Sequence, residues 1–410
     1  MGSTWFFIKL AWRNLLRNKR RTIIAGTAIG IGLSTLIFTD ALMIGMEDHL
    51  IRSGTATFFG EGRVRHGGFD ESEDIDKTIS NVDAVVDALE GSPIVERYTR
   101  RVLSFAMIGS PATSEGVAMV GIDPVTERYL SQIDDVIVHG EYFAGGERDI
   151  VVGSKLADVL EVTLGDRVVL TAAEAGSGDL SQELFRVSGI YHFNVEEMDR
   201  AMAFIPLSKA QSLLGLGDAV HEIAIKFTDP RYGRDEDLPL WKELSKNGNR
   251  AEGWTKMLPQ LSTALGMTNY SLFIVGIILF AVVSLGIVNT LFMSLYERMF
   301  EFGVLRAVGT RPRSIFRLIL SEAAALAVVS IVLGLVISAI WVGVVRSTGI
   351  DYTGIEYAGV TFRDKIYPVM RVIQFVLYPA CVFVITSLVG LYPAVYAARL
   401  APARAMRKSF

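Results

Sequence analysis

Residues 272–295 read LFIVGIILFAVVSLGIVNTLFMSL, a run of apolar and small polar side chains without a charge. A helix of about 20 mainly apolar residues is long enough to cross the hydrocarbon core of a bilayer. Residues 22–39, 323–345 and 372–398 have the same character. The sequence therefore predicts four membrane-spanning helices, with a long insertion between the first and the second. The first apolar run is longer than the core of a signal peptide, so we expect an uncleaved anchor.

The overall composition agrees with a membrane protein. The chain has 410 residues, of which 50% are hydrophobic and 20% charged, and its mean hydropathy is +0.37. This composition excludes an intrinsically disordered chain, a collagen and a basic nucleic-acid binder. A single cysteine, Cys381, excludes an intramolecular disulfide scaffold. The net charge of −4 is divided unevenly, because residues 43–267 carry a net of −16 and the remainder carries +12.

The flanks of the four spans predict their orientation. Lys and Arg outnumber Asp and Glu in three segments: before the first span, between the second and third spans, and after the fourth. Cytoplasmic segments of membrane proteins carry such an excess of Lys and Arg. We therefore expect both termini in the cytoplasm and the insertion between spans one and two on the opposite side.

The predicted fold class is an α-helical membrane protein with four transmembrane helices, one plus three, and a large α+β domain inserted between spans one and two. The expected segments are 1–21, an interfacial amphipathic helix; 22–50, transmembrane helix 1 and stalk; 51–257, the external domain; 258–296, stalk and transmembrane helix 2; 297–313, a cytoplasmic helix; 314–346, transmembrane helix 3; 347–370, a short external loop; 371–398, transmembrane helix 4; and 399–410, the tail.

Helical periodicity in the second span begins well before its uncharged run. A helix over residues 258–295 would be roughly 57 Å long at about 1.5 Å per residue, whereas the hydrocarbon core is only about 30 Å thick. Part of this helix would therefore stand outside the membrane as a rigid stalk. A flexible linker near Gly253 or Gly266 is the alternative.

The external domain has a mixed α and β pattern. Ile223, Ile225 and Phe227 alternate with polar or small residues, which predicts a half-buried strand. Further strands are expected at 168–170, 183–187 and 202–205, and short helices at 81–89, 154–160 and 207–214. Residues 70–76 and 173–181 are expected to form solvated loops.

No sequence motif indicates an enzyme. The chain has no H-E-x-x-H, no G-x-S-x-G and no G-x-x-x-x-G-K-[ST]. Its five histidines are not spaced as metal ligands, and we expect them on the surface or in loops. We therefore predict no catalytic residue and no metal site.

Residues 296–309, YERMFEFGVLRAVG, predict a short amphipathic helix between spans two and three. Glu297 and Glu301 would share one face, Phe300, Gly303, Val304 and Ala307 another, and Gly309 would end the helix. Such a helix suits the docking of a soluble partner, although a simple polar connector is the alternative. Two isolated charges inside the spans, Asp40 and Glu322, are near enough to the membrane ends to reach water.

Several motifs resemble the FtsX/MacB-type ABC transporter permeases. Residues 12–22 (WRNLLRNKRRT) resemble the beginning of these proteins, residues 301–309 (EFGVLRAVG) resemble their coupling helix, and residues 391–407 resemble their closing segment. Within this family the external domain is most similar to the lipoprotein-releasing (Lol) permeases, through residues 121–124 (GIDP) and 150–157 (IVVGSKLA).

The resemblance implies a mechanism and partners. Two permeases, identical or homologous, bind two ABC ATPase subunits, which carry the ATP and Mg²⁺, so that this chain binds no cofactor itself. ATPase closure is relayed through the stalks to periplasmic domains, and a lipoprotein is extracted from the bacterial inner membrane. ATPase coupling falls on Glu297, Arg298, Phe300, Glu301, Gly303, Val304, Arg306 and Gly309. Lateral entry between spans one and two suggests a substrate cavity at Phe38, Leu42, Met43, Met46, Leu265, Tyr270, Phe273 and Ile277.

The resemblance leaves the delivery step open. The Lol subunit that recruits a periplasmic lipoprotein carrier has a proline in its hook loop, whereas residues 172–184 contain none. The carrier-loop candidate is Ala175, Gly176, Ser177, Gly178 and Asp179. The chain could be the non-recruiting partner or a homodimer subunit. A MacB-like efflux permease, a permease for another envelope substrate, an FtsX-like activator of periplasmic hydrolases and a membrane-anchored enzyme are the alternatives.

Overall fold

The computed structural model describes residues 2–17, 19–72, 74–358, 360–362 and 364–399. The chain forms two compact units. The helical unit comprises Met1–Glu47, Gly266–Asp351 and Lys365–Phe410, and the α+β unit comprises Asp48–Leu265 and Tyr352–Asp364. Most of the expected 399–410 tail, with its basic motif, lies outside the described residues.

The helices are α1 (Gly2–Arg17), α2 (Lys19–Gly54), α3 (Phe69–Ser72), α4 (Val82–Glu90), α5 (Pro124–Glu127), α6 (Ser154–Leu160), α7 (Glu196–Ala201), α8 (Leu207–Leu213), α9 (Pro239–Leu244), α10 (Trp254–Met257), α11 (Pro259–Glu297), α12 (Met299–Ala307), α13 (Pro312–Thr348) and α14 (Gln374–Ala398). A π-helical turn, Thr55–Phe59, follows α2, and a 3₁₀ turn covers Pro230–Arg234.

Four of these helices, α2, α11, α13 and α14, are long and apolar enough to cross a membrane. The prediction of one plus three apolar helices around an α+β insertion is thus confirmed. The bounds differ in detail: α2 begins at Lys19, so Lys19, Arg20 and Arg21 belong to this helix, whereas Lys9, Arg13 and Arg17 belong to α1. Helix α11 has 39 residues and is unbroken through Gly266.

The helical unit is held by apolar packing and by close helix approach. Ile29, Leu33, Leu291 and Leu326 are among the buried residues of its core. At Gly30 of α2, a Cβ atom would lie only 3.0 Å from the backbone nitrogen of Gly334 in α13. Small residues at such crossings allow membrane helices to approach closely.

The strands are β1 (Gly62–His66), β2 (Val95–Gly109), β3 (Ser114–Ile122), β4 (Ile137–Gly140), β5 (Asp149–Gly153), β6 (Arg167–Ala173), β7 (Leu180–Tyr191), β8 (Met202–Pro206), β9 (Glu222–Phe227), β10 (Asn249–Gly253), β11 (Glu356–Tyr357) and β12 (Val360–Thr361). Strands β1 to β10 form one sheet in the order β10-β1-β9-β2-β3-β8-β5-β7-β4. Strand β6 pairs with both β2 and β7, so β2, β3, β8, β5, β7 and β6 close into a ring. The sheet core includes Ile108, Met119, Leu170 and Phe185.

Three predictions about the external domain were wrong in detail. Strand β9 is buried on both faces except at Lys226, rather than half-buried, because it lies between β1 and β2 inside the sheet. His221, expected on the surface, is fully buried, and its Nδ1 accepts a hydrogen bond from the Leu103 amide. The acidic stretch 70–76 begins inside α3, and Asp70 accepts hydrogen bonds from Arg63 and Arg65 instead of facing only water.

Candidate functional site

The segment between the second and third apolar helices forms a separate short helix, α12. Helix α11 ends at Glu297, and α12 begins at Met299 after Arg298, whose φ and ψ of −108° and 14° are not helical. The expectation that Glu297 and Glu301 share one helical face was therefore wrong, since the two residues belong to different helices. Gly309 follows α12 with φ of +98°, a conformation that glycine adopts without strain.

One buried aromatic side chain helps to hold helix α12 against the rest of the helical unit. Phe302 is 2% exposed and packs in a cluster with Leu295, Ile315, Leu318 and Ala394. Gly303, next to it, is also buried. These contacts orient the helix, so the face opposite Phe302, which carries Phe300 and Val304, points outward.

The outward surface of α12 and its last turn is apolar. Phe300 is 51% exposed, Val304 39% and Val308 82%. Large apolar side chains grouped on one surface mark an interaction site more often than scattered single ones do. Glu301 is paired with Arg17 and Arg298, and its side chain is 43% exposed.

A polar network ties α12 to α1 and α13. Arg298 donates from Nη1 to Oε1 of Glu322 over 2.6 Å and from Nε to Oε2 of Glu301 over 3.1 Å. Asn14 of α1 donates from Nδ2 to the same Glu322 oxygen over 2.6 Å. Arg17 of α1 donates from Nη2 to Oε1 of Glu301 over 3.0 Å. Two side chains of the N-terminal helix thus bind the same polar cluster as the connecting segment.

The acidic and basic side chains of this network stabilise each other in their charged forms. Desolvation opposes the charged form of Glu301, but the hydrogen bonds from Arg17 and Arg298 outweigh it and lower the pKa of this carboxyl. Burial likewise disfavours the Arg298 guanidinium, yet Glu322 and Glu301 raise its pKa. A cavity of about 40 Å³ lies among Asn14, Arg17, Thr290, Arg298 and Glu322, with room for ordered water.

The isolated carboxylates of the apolar helices have polar partners on neighbouring helices. Glu322 is 7% exposed and accepts from Asn14 and Arg298. Asp40 of α2 accepts from Nε2 of Gln374 over 2.8 Å and is hydrogen-bonded by Tyr378, both on α14. The expectation that both carboxylates reach water was wrong for Glu322, which is buried; Asp40 is half-buried, and both carboxylates have polar partners on neighbouring helices.

The comparisons with known proteins agree with this architecture. The family described as FtsX-like permease C-terminal matches residues 273–402, and the family described as MacB-like periplasmic core domain matches residues 22–232, half of the chain. The chain is an ABC transporter permease of the FtsX/MacB family. The lipoprotein-releasing system transmembrane protein LolC of Neisseria meningitidis serogroup B is 24% identical to the permease over 329 residues, 77% of either chain.

Two further similarities cover different shares of the permease. The lipoprotein-releasing system transmembrane protein LolE of Haemophilus influenzae is 22% identical over 424 residues, 98% of this chain and 99% of that one. Among solved structures, the periplasmic region of MacB from Actinobacillus actinomycetemcomitans aligns with a TM-score of 0.34 at 13% identity, over 52% of this chain and 95% of that one.

The substrate-cavity candidates of the permease differ in exposure. On α2, Phe38 lies edge-on to Trp341 of α13, with ring centroids 5.9 Å apart, and Leu42, Met43 and Met46 are half-buried. Leu265 is buried within the α+β unit. Tyr270, Phe273 and Ile277 of α11 are 76%, 70% and 54% exposed, so this apolar surface is uncovered in a single chain.

The carrier-loop candidate is a tight hairpin rather than a long loop. Strands β6 and β7 pair up to Ala173 and Leu180, which leaves only residues 174–179 unpaired. Gly176 and Gly178 have positive φ angles. The Ala175 amide donates to the Leu214 carbonyl, and the Gly176 amide donates to Oδ1 of Asp76. The expected solvated loop over 173–181 is exposed at residues 176–180, but it is shorter than expected because strand pairing extends to Ala173 and Leu180.

Three residues of this candidate site were not predicted from the sequence. Asn14 and Arg17 were assigned only to an interfacial helix, and Phe302 was not assigned to the core. A signal for the first two was available, because a lone Glu322 in an apolar run requires a polar partner from elsewhere in the chain. Nothing local in the sequence identifies which partner it has.

Proposed function

We propose that the permease works in a lipoprotein-releasing transporter of the bacterial inner membrane, as one of two permeases that bind two ABC ATPase subunits. The observation that carries the proposal is the nearly full-length similarity to LolE, together with the 92% coverage of either chain by LolC of Xylella fastidiosa Temecula1. Two proteins that share only one domain would align over that domain and not over their full lengths.

In this proposal α12 is the surface that receives the ATPase. Its exposed Phe300, Val304 and Val308 offer an apolar contact, and apolar and aromatic residues at the centre of an interface contribute most of the binding free energy. ATP binding brings the two ATPases together. Because Arg298 and Glu301 join α12 to α13 and α1, a displacement of α12 is passed to both helices.

The orientation follows from the charge distribution of the segments. Both termini and α12 lie in the cytoplasm, where basic flanks are retained, and the α+β unit lies in the periplasm. The lipoprotein enters laterally from the outer leaflet at the apolar surface of α2 and α11, and the exposed side chains of α11 contact acyl chains or the second permease. The hairpin at 174–179 is the proposed contact for a periplasmic carrier.

The decisive experiment uses proteoliposomes that contain the permease with its cognate ATPase and a radiolabelled triacylated lipoprotein. We expect ATP-dependent release of the lipoprotein into the soluble fraction when a carrier is supplied, and none with a non-hydrolysable ATP analogue. A version of the lipoprotein without acyl chains is the matched control. Retention of the lipoprotein with every carrier tested, while ATP is hydrolysed, would remove this proposal.

A MacB-like efflux permease or an FtsX-like activator of hydrolases is the alternative within the same family. Its support is the match of residues 22–232 to the MacB-like periplasmic core domain. ATP hydrolysis that is stimulated by a periplasmic adaptor or a hydrolase activator, and not by lipoprotein, would favour that alternative.

A further inference from the structure

Arg101 is a fully buried cation in the α+β unit and is not part of the coupling site. It lies on β2, is 0% exposed, and is surrounded by the equally buried Glu127 and by Glu222, which is 2% exposed. Its Nε and Nη2 donate to the two carboxylate oxygens of Glu127 over 3.0 and 2.6 Å, and Nη1 donates to Glu222 over 2.8 Å. Three elements of the domain, α5, β2 and β9, therefore meet at one guanidinium.

The same guanidinium holds the end of the first apolar helix. Nη2 of Arg101 donates to the backbone carbonyl of Phe58 over 2.6 Å, and the guanidinium lies 4.0 Å from the centroid of the Phe58 ring. Phe58 belongs to the π-helical turn that follows α2. The last carbonyls of a helix have no partner within the helix and require one from outside, so Arg101 supplies a bond that the chain of α2 cannot make itself.

Two hydrogen bonds and a glycine with a positive φ angle fix the conformation of the turn that contains Phe58. The Gly60 amide donates to the Thr55 carbonyl over 2.8 Å, and Gly60 has φ of +76°. The hydroxyl of Thr55 donates to the Ile51 carbonyl over 2.8 Å. Single π-helical turns are rare and occur frequently at functional sites.

Glu61, which follows this turn, is hydrogen-bonded to the part of the chain that leaves the domain before α11. The Glu61 amide donates to the Ile225 carbonyl over 2.8 Å, and the Glu61 carbonyl accepts from the Trp254 amide over 3.0 Å. Trp254 begins α10, which is followed by α11. The chain that enters the domain after α2 and the chain that leaves it before α11 thus contact each other beside the Arg101 cluster.

Stability alone does not account for a charge in this position. Replacing a buried ion pair by apolar residues of similar volume is often neutral or stabilising, whereas a fully satisfied ionic cluster fixes one geometry. Arg101 fixes the geometry between a helix end and three elements of the sheet domain, and such a joint is needed wherever helix motion is to move a domain as one body.

We propose that Arg101 is the positioning residue that clamps the end of helix α2 to the sheet, so that ATP-driven motion of α2 is delivered to the α+β domain. The proposal rests on the proposed function for its link to ATP-driven motion. Arg65 provides a matched comparison, because it binds the same Glu222 over 2.7 Å but makes no contact with the Phe58 carbonyl.

The test compares Arg101→Met, Arg101→Lys and Arg65→Met in the assembled transporter, in a Cys381→Ser background. Spin labels at Arg52 on α2 and at Lys155 on α6 report the distance between the helix end and the domain. We expect one narrow distance in the parent protein and in Arg65→Met, a broadened distribution in Arg101→Met, and an intermediate one in Arg101→Lys, which keeps the charge but loses the forked geometry.

A second readout is the amount of lipoprotein released per ATP hydrolysed. We expect Arg101→Met to lower this ratio about threefold or more while ATP hydrolysis itself continues, and Arg65→Met to leave it near the parent value. A merely structural role would reduce the folded fraction without changing the ratio. If Arg101→Met cannot be purified, Arg101→Lys decides both readouts.

A narrow distance and an unchanged ratio in the Arg101 variants would overturn the clamp. Equal broadening in Arg101→Met and Arg65→Met would also overturn it, since the effect would then belong to the ionic cluster as a whole. A parent transporter that releases no lipoprotein would contradict the proposed substrate only, because the spin-label distances do not depend on it.

Discussion

Arg298, between α11 and α12, donates from Nη1 to Oε1 of Glu322 in α13 over 2.6 Å, with both side chains largely buried. The bond joins the connecting segment to the third apolar helix. Asn14 of α1 donates to the same oxygen. Glu322 is therefore the point at which the N-terminal helix, the connecting segment and an apolar helix meet.

Breaking this pair on one side should destabilise the permease. We expect Arg298→Met to lower the thermal midpoint of the purified protein by several degrees, because an uncompensated buried carboxylate costs about 3 kcal/mol. The double substitution Arg298→Met with Glu322→Leu should recover most of the loss. A double variant as unstable as the sum of the single ones would show that the pair does not act as a unit.

The apolar surface of α12 should be required for ATPase binding. We expect Val308→Asp, at a residue that is 82% exposed, to weaken co-purification with the ATPase by about tenfold or more, because it places a charge in an apolar contact. Val125→Asp, at an exposed valine of the α+β unit, is the control and should bind normally. Equal binding by both variants would argue against α12 as the dock.

Reversing the charge of Glu301 should break the ion pairs of α12 with Arg17 and Arg298 without affecting membrane insertion of the permease. We expect Glu301→Lys to abolish co-purification with the ATPase, because the new cation would face Arg17 and Arg298. Glu297→Lys, at the end of α11, should have a much smaller effect. If the double variant with Arg17→Glu and Glu301→Arg recovers part of the ATPase binding, the loss is due to this ion pair. Unimpaired ATPase binding by Glu301→Lys would refute the assignment of α12 to ATPase coupling.

The ionisation of Glu61 should make the permease less stable at higher pH. Burial raises the pKa of Glu61 to about 7, and Lys226 and the Phe227 amide oppose this shift while Glu96 and Asp229 add to it. The stability from the protonated form is complete below about pH 4.5 and is lost as pH rises through 7, a change of about 3 kcal/mol. Thermal midpoints measured from pH 5 to 8 should fall in the parent protein and remain flatter in Glu61→Gln.

Glu222 should produce the opposite pH dependence. Burial alone would raise its pKa, but Arg65, Arg101 and Arg63 outweigh burial and lower the pKa to about 2. Its contribution is present above about pH 4.5 and is lost as pH falls toward 2. We expect Glu222→Gln to remove this acid-sensitive component and to lower the midpoint at pH 7. Identical acid transitions in the variant and the parent would contradict the assignment.

The sequence alone predicted the local elements of this protein. The four apolar helices were predicted from the lengths of uncharged runs, and α6 was predicted with the bounds that the structure has. The connecting helix was predicted from its spacing and from Gly309. These features depend on near neighbours along the chain, so their period and their terminating residues are visible in the sequence.

The tertiary structure decided which of these elements act together. The partners of Glu301 and Glu322 on α1 lie 284 and 308 positions away along the chain, and the contact of Arg101 with Phe58 spans 43 positions. The break at Arg298 also separates two glutamates that a continuous helix would have aligned. Pairing across such separations depends on how helices and strands pack in three dimensions, and a buried charge is stable only where that packing supplies its partner.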